Sequence, residues 1–324
     1  MVHVFSRLCP LANPEISALA ERVMTTEIPY RGWDRSLRLA NDSVEVVISL
    51  EVGPRILSYR PLNGTNVFHN YPTQMGNSGE TEWKNRGGHR LWIAPEDIDL
   101  TYEIDNAEFP FELQGTHGVK LTTHGPAIRP IRKDISVELA QTGSDVRLIH
   151  MLTNESTTPQ TVAPWALSVM APGGIALIPQ PPLGEHPRDL LPNRALIIWP
   201  FSDTTDPRFH LGKHFISLRH DAARSPFKFG LSHQGKWAAY LLGNQLFTKT
   251  VTFIVGATYA DMGCNYESFT NEDMLEVETL GPLVTLAPGE SISHEENWAL
   301  HGNLTPPTYG DTPEFAVWLH PYLP

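Results

Sequence analysis

The chain has little cysteine: two residues in 324, Cys9 and Cys264, far apart and without a Cys-x-x-Cys partner. That excludes a zinc knuckle and a disulfide framework; a single disulfide stays open, and two separate buried thiols are the expectation. It is also poor in positive charge, with 24 Lys and Arg against 36 Asp and Glu, a net charge of −12, and no basic run. A nucleic-acid partner needs clustered Lys and Arg to neutralise phosphates, so none is expected. No uninterrupted apolar stretch reaches the roughly 20 residues of a membrane-spanning helix, and no membrane partner is expected. Residues Met1 to Pro10 show no basic stretch followed by an apolar run. The expectation is a soluble, cytoplasmic protein, or a periplasmic one if a leader has been removed. A Gly-x-Gly-x-x-Gly fingerprint is missing as well, which argues against a dinucleotide-binding α/β fold.

What is present is apolar enough for a core. Hydrophobic residues make up 41% and charged residues 19% of the chain, a globular composition. Helical periodicity is confined to residues 10–25, where Asn13 can cap, Pro14 takes the first helical position, and Ile16, Leu19, Ala20 and Val23 share a face. From Trp33 the period changes to two. Short runs such as 36–40, 43–50, 55–59, 119–123, 146–154, 162–171, 237–242, 250–260 and 274–281 alternate between turn residues, the pattern of a β-sandwich or barrel. The expected organisation is a helical extension over 1–29, a sandwich domain over 30–304, and a Pro-rich tail over 305–324 packed on it.

The densest chemistry lies between Glu80 and Glu96. Lys84, Arg86, Arg90, His89, Trp83, Trp92 and three carboxylates surround the pair Gly87-Gly88. Adjacent glycines allow positive φ and close approach by a ligand or another chain. Aromatic faces, fork-shaped donors and carboxylates together suit a sugar ring, which has apolar C–H faces and a rim of hydroxyls. The bland alternative is a tight turn before a buried strand, its charges solvated. Residues 179–208 hold seven prolines, at 179, 181, 182, 187, 192, 200 and 207. A long kinked loop follows, either a binding loop or a surface linker. His210 and His214 have i, i+4 spacing, but Pro207 and Gly212 disfavour a helix there, so no metal and no cofactor are expected.

Three features in order carry a resemblance. Arg86-Gly87-Gly88 precedes a strand ending at Pro95, His124-Gly125 closes a later strand ahead of Arg129, and Glu276-Val277-Glu278 precedes Leu286-Ala287-Pro288-Gly289-Glu290. They resemble the galactose mutarotase-like, or aldose 1-epimerase-like, superfamily. The resemblance implies an all-β antiparallel supersandwich, here with a short N-terminal helix, and a carbohydrate site. It implies an isomerase acting at the anomeric centre, with Glu278 as base and His124 or His89 as acid. Glu276 and Glu267 compete with Glu278 for the base. Arg86 matches the family's sugar-binding arginine, and Arg90, Trp92, Glu96, Arg129, Asp203 and Glu267 complete the candidate substrate contacts. The chain departs from the family in two places. Three residues separate His124-Gly125 from Arg129, and the strand Pro164–Met170 lacks the family's mid-chain histidine. A non-catalytic sugar-binding protein, or a related lyase or hydrolase, therefore stays open.

Overall fold

The structure, a computed structural model, describes residues 24–232 and 234–323. In chain order the described strands begin with β1 (Met24–Tyr30), β2 (Trp33–Ala40), β3 (Val44–Ser49), β4 (Arg55–Pro61), β5 (Gly88–Ala94), β6 (Phe111–Gln114) and β7 (Gly118–His124). Next come β8 (Ile131–Leu139), β9 (Val146–Asn154), β10 (Gln160–Met170), β11 (Ile175–Pro179), β12 (Ala195–Ile198), β13 (Phe209–Leu211) and β14 (Phe215–Arg219). The last are β15 (Phe227–Ser232), β16 (Trp237–Leu242), β17 (Gln245–Val251), β18 (Tyr266–Thr270), β19 (Leu275–Leu280), β20 (Val284–Leu286) and β21 (Ser291–His301). They form two antiparallel sheets. Sheet 1 runs β1-β2-β3-β4-β5-β10-β19-β18-β15-β12, with β20 beside β10, and sheet 2 runs β13-β14-β11-β16-β17-β21-β9-β8-β7-β6.

Because strand side chains alternate, each sheet offers two faces. The inner faces meet in the main core, where Val46, Ile48, Tyr59, Val137, Leu148, Phe229, Phe247, Val277 and Trp298 are buried together. Sheet 2 is covered outside by α1 (Pro313–Leu319), whose Phe315 and Leu319 pack on Ile175, Leu177, Phe215 and Leu241. Thr312 caps that helix by accepting from the Phe315 N–H at 3.2 Å, and Pro313 fills its first turn. The outer face of sheet 1 carries a further apolar cluster of Trp92, Ala94, Ala163, Trp165, Leu167, Ala260 and Leu280.

Several expectations need correction. The N-terminal helix falls outside the described residues except at its end, where Met24 and Thr25 belong to β1. Residues 24–30 pair with β2, so a helical extension cannot reach residue 29. The run 250–260 is not one strand: β17 ends at Val251, and residues 252–260 form turns and irregular chain. Strand β12 lies inside the Pro-rich 179–208 segment, at the edge of sheet 1 where prolines on either side disturb no central ladder. The C-terminal segment forms α1, for which Thr312-Pro313-Glu314 was the legible signal.

Candidate functional site

The turn before β5 is built for backbone contact within the chain. Arg86, Gly87 and Gly88 all have positive φ, at 55°, 83° and 73°. A Cβ on Gly87 would sit 2.0 Å from the His69 carbonyl oxygen, and one on Gly88 would sit 2.4 Å from that of Ile56. The close approach that the glycines permit is therefore by the protein's own neighbouring segments. Arg86 is fully buried in the same turn. It reaches Glu80 at 2.6 Å, the Gln74 carbonyl at 2.8 Å and Asn106 at 3.0 Å.

Beyond that turn, β5 divides its residues between two environments. In the ladder Arg90 is opposite Leu167 and Trp92 opposite Trp165, while His89 is opposite Ser168. Arg90 and Trp92 thus point to the outer face, and His89 points into the core. The same alternation runs across the sheet. Glu267 pairs with Glu278 and Phe269 with Glu276 on the outer face, and Lys228 is opposite Phe269.

These outer-face residues line two adjoining cavities of about 340 Å³ each. Trp165, Trp199, Tyr102, Glu96 and Lys228 are common to both; Arg90, Trp92, Trp83 and Glu276 line one, and Glu267 and Asp261 the other. Together they make one aromatic cleft. Lys228 is at its centre, its Nζ 4.6 Å from the Trp165 ring and 4.7 Å from the Trp199 ring. It is 2.7 Å from Glu267 and 3.4 Å from Glu278. Arg90 lies 4.1 Å over Trp92 and bonds Glu276 at 3.0 Å. Tyr102 donates to Glu96 at 2.5 Å.

The charges are tuned by burial and by each other. Burial pushes the Glu267 carboxyl well above the usual range, more strongly than Lys228 pulls it down. Glu278, fully buried with Trp165 Nε1 donating to it at 2.8 Å, is pushed up to about 7 by the same desolvation. Asp261, beside Glu267, is also raised by burial. Burial opposes the Lys228 charge, but Glu278 and then Glu267 outweigh it and hold its affinity for a proton high. Oε1 of Glu278, and Nε and Nη1 of Arg90, have no hydrogen-bond partner in the protein.

The other candidate residues lie elsewhere. His124 ends β7 on the surface, 2.7 Å from Glu155, and lines a separate cavity. Arg129 is buried away from the cleft, near Asp97. Asp203 accepts from Thr205 N and Oγ1 at 2.8 and 2.7 Å, closing a local turn. Of the expected set, Arg90, Trp92, Glu96 and Glu267 line the cleft, and Glu278 lies just beneath Lys228. Lys228, Trp165, Trp199, Tyr102 and Asp261 were missed, because nothing local marks them: they come from five separate segments.

His89 joins a different cluster between the sheets. Its Nε2 is 2.8 Å from Nε2 of His150, and its Nδ1 is 2.9 Å from Ser168 Oγ. His150 donates from Nδ1 to the His294 carbonyl at 3.1 Å. In the neutral form its Nε2 then accepts from His89, and Ser168 donates to His89. Glu296 takes Lys249 at 2.9 Å, Trp298 Nε1 at 2.8 Å and the Thr279 hydroxyl, and Thr279 is 2.8 Å from His294 Nε2. Burial lowers the proton affinity of all three histidines, His294 to about 3. Burial would raise the Glu296 carboxyl, but Lys249 and the histidines hold it below the usual range. The donor atoms of His89, His150 and Glu296 lie within 4.8 Å of one another, close enough for a metal ion. Lys249 already pairs with Glu296 through Oε1, and the ring nitrogens of His89 and His150 bond each other, so the arrangement fits an internal ion pair better than an added cation.

No protein-family model and no curated protein matches the sequence. Solved structures do. A galactose mutarotase-like protein from Lactobacillus casei is 12% identical, with a TM-score of 0.54 over 82% of this chain and 100% of that one. Another from Clostridium acetobutylicum is 13% identical, with a TM-score of 0.53 over 87% and 99%. A candidate aldose 1-epimerase from Escherichia coli K12 is 12% identical, with a TM-score of 0.52 over 86% and 99%. With two antiparallel sheets in this order and overlaps spanning more than four-fifths of its length, the chain has the galactose mutarotase-like fold.

Proposed function

We propose that the sheet 1 cleft binds an uncharged sugar and catalyses exchange at its anomeric centre. Tryptophan and tyrosine faces suit the C–H faces of a pyranose, and the free donors of Arg90 suit its hydroxyls. Both cations of the cleft already face acidic side chains, Lys228 beside Glu267 and Glu278, Arg90 beside Glu276. A sugar phosphate or uronate would find no unpaired positive charge there.

The observation that carries the reading is the placement of Glu267 and Glu276. They are diagonal neighbours on one face of β18 and β19, about 7–8 Å apart at the backbone. Burial raises the proton affinity of Glu267 well above the usual carboxyl range, whereas Glu276 is ion-paired with Arg90. A carboxyl of raised proton affinity beside a carboxylate held by an arginine suits general acid–base catalysis. Glu276 takes the proton of the anomeric hydroxyl as Glu267 gives its proton to the ring oxygen. The C1–O5 bond breaks, C1 becomes an aldehyde carbon, and reclosure on its other face returns both protons. Glu278 and Lys228 act behind Glu267, as a second carboxyl and a shared ammonium that set its proton affinity. A histidine acid is not used in this scheme, since neither His89 nor His124 reaches the cleft.

Proton NMR of freshly dissolved α-aldoses tests it. The native protein should speed the α-to-β exchange, and Glu267→Gln and Glu276→Gln should each remove that acceleration while sugar signals still broaden. The second reading, a sugar-binding protein without turnover, is favoured by the absence of a histidine from the cleft lining among the described residues. Broadening without acceleration in the native protein would select it.

A further inference from the structure

Beside the cleft lies a larger cavity of about 790 Å³. Here β4 and β5 pair only at Ile56 and His89, and Asp99 and residues 102–110 line the space beside them. Arg90, Trp92 and Tyr102 line both this cavity and the cleft. The far walls come from β7, β8 and residues 103–110.

Its polar groups are arranged in a particular way. Arg90 is 3% exposed and bonds Glu276 through Nη2, yet its Nε and Nη1 lack partners. Thr123 Oγ1 and Asp105 Oδ1, both on the cavity wall, are likewise buried without partners. Leaving such a group unpaired is unfavourable, and a ligand carrying hydroxyls removes that cost. Most of the charges are otherwise matched internally: Asp105 with Arg55 at 2.8 Å, Glu80 with Arg86 at 2.6 Å, Glu108 with Arg35 at 3.2 Å, and Glu103 with Lys133, while Asp99 lies on the wall outside any ion pair among the described residues. Ile104 and Ile128 line the cavity although 58% and 78% exposed. Apolar rim, unpaired hydrogen-bonding groups and the lack of an unpaired cation describe a place for a second uncharged sugar ring.

We propose that the ligand is a reducing disaccharide or longer oligosaccharide, with its reducing ring in the cleft and the next ring in this cavity. Arg90, at the junction, bonds both rings. This rests on the cleft being a sugar site. It goes beyond that reading in ligand size and in the residues that select it.

Calorimetric titration of the native protein tests it, with glucose, galactose and mannose against cellobiose, maltose, lactose, galactobiose and mannobiose. At least one disaccharide should bind tenfold or more tightly than its reducing monosaccharide. Ala107→Trp enlarges an exposed loop residue on the cavity wall, and Thr123→Val removes a hydroxyl while keeping shape. Either variant should reduce the disaccharide gain and leave the monosaccharide Kd within twofold. If either variant fails to fold, the other keeps the test. Monosaccharide binding with no disaccharide gain, or a gain untouched by both variants, overturns the second subsite and leaves the cleft reading standing. No binding of any sugar overturns both.

Discussion

Strand β19 separates two buried charge clusters that use similar side chains to opposite ends. On its outer face Glu276 and Glu278 join Arg90, Lys228 and Glu267; on its inner face Thr279 joins Glu296, Lys249, His294, His150 and His89. In the inner cluster no side-chain nitrogen or oxygen is buried without a partner. In the outer one, atoms of Glu278 and Arg90 are. Glu296 is held down as a carboxylate by Lys249 despite burial, whereas burial raises Glu267 and Glu278 despite Lys228. A closed, satisfied network supports structure, and a network left open toward a cavity is where a ligand can act. By composition alone the inner cluster, rich in histidine, is the better candidate for catalysis. Its geometry says otherwise.

The comparison is broken most sharply by removing one partner on the inner side. Glu296→Ala should cost about 3–5 kcal/mol, because it strands Lys249 as an unpaired buried charge. Urea unfolding measures this, and a loss below about 1 kcal/mol would mean the inner ion pair is not intact. On the outer side Glu267→Gln should lower anomer exchange at least ~100-fold with the urea midpoint nearly kept; a parallel loss of stability would put Glu267 with the structural residues. Arg86→Ala should lower stability by roughly 1–3 kcal/mol through the hydrogen bonds it abandons, with sugar affinity unchanged by calorimetry. Weaker sugar binding in a folded variant would return Arg86 to the site.

The two clusters also oppose each other in the pH dependence of stability. His294 titrates at about 3 when folded against 6.5 ordinarily. Its contribution is therefore present above 6.5 and lost as pH falls toward 3. Glu278 titrates at about 7 against 4.5, so its contribution is full below 4.5 and lost as pH rises through 7. Calorimetric Tm values should fall on both sides, and Glu278→Gln should flatten the alkaline side only. An unchanged alkaline side in that variant would place the proton on another group.

Much of the fold was legible. The period of two, the turn residues and the lack of helical runs point to antiparallel sheets, and the spans 146–154 and 237–242 coincide with β9 and β16. Strand β21 was missed, although its inward residues His294, Glu296, Trp298 and Leu300 alternate with exposed ones. An inward histidine and glutamate read as polar in sequence, and only their partners across the core make them interior. The site was legible in part. Arg90, Trp92, Glu96 and Glu267 reach the cleft, but His89 and Arg90 are adjacent in sequence and lie on opposite faces.

The sequence by itself determined the all-β class, the glycines at residues 87 and 88 that no side chain can replace, and the clustering of chemistry around β5. These are local properties, set by periodicity, by φ and by composition. Only the tertiary structure decided which carboxylates meet a lysine, which histidines are sealed in the core, and that Trp165, Trp199 and Lys228 complete the cleft. Those outcomes depend on strand order and register, where a shift of one residue turns every side chain to the other face.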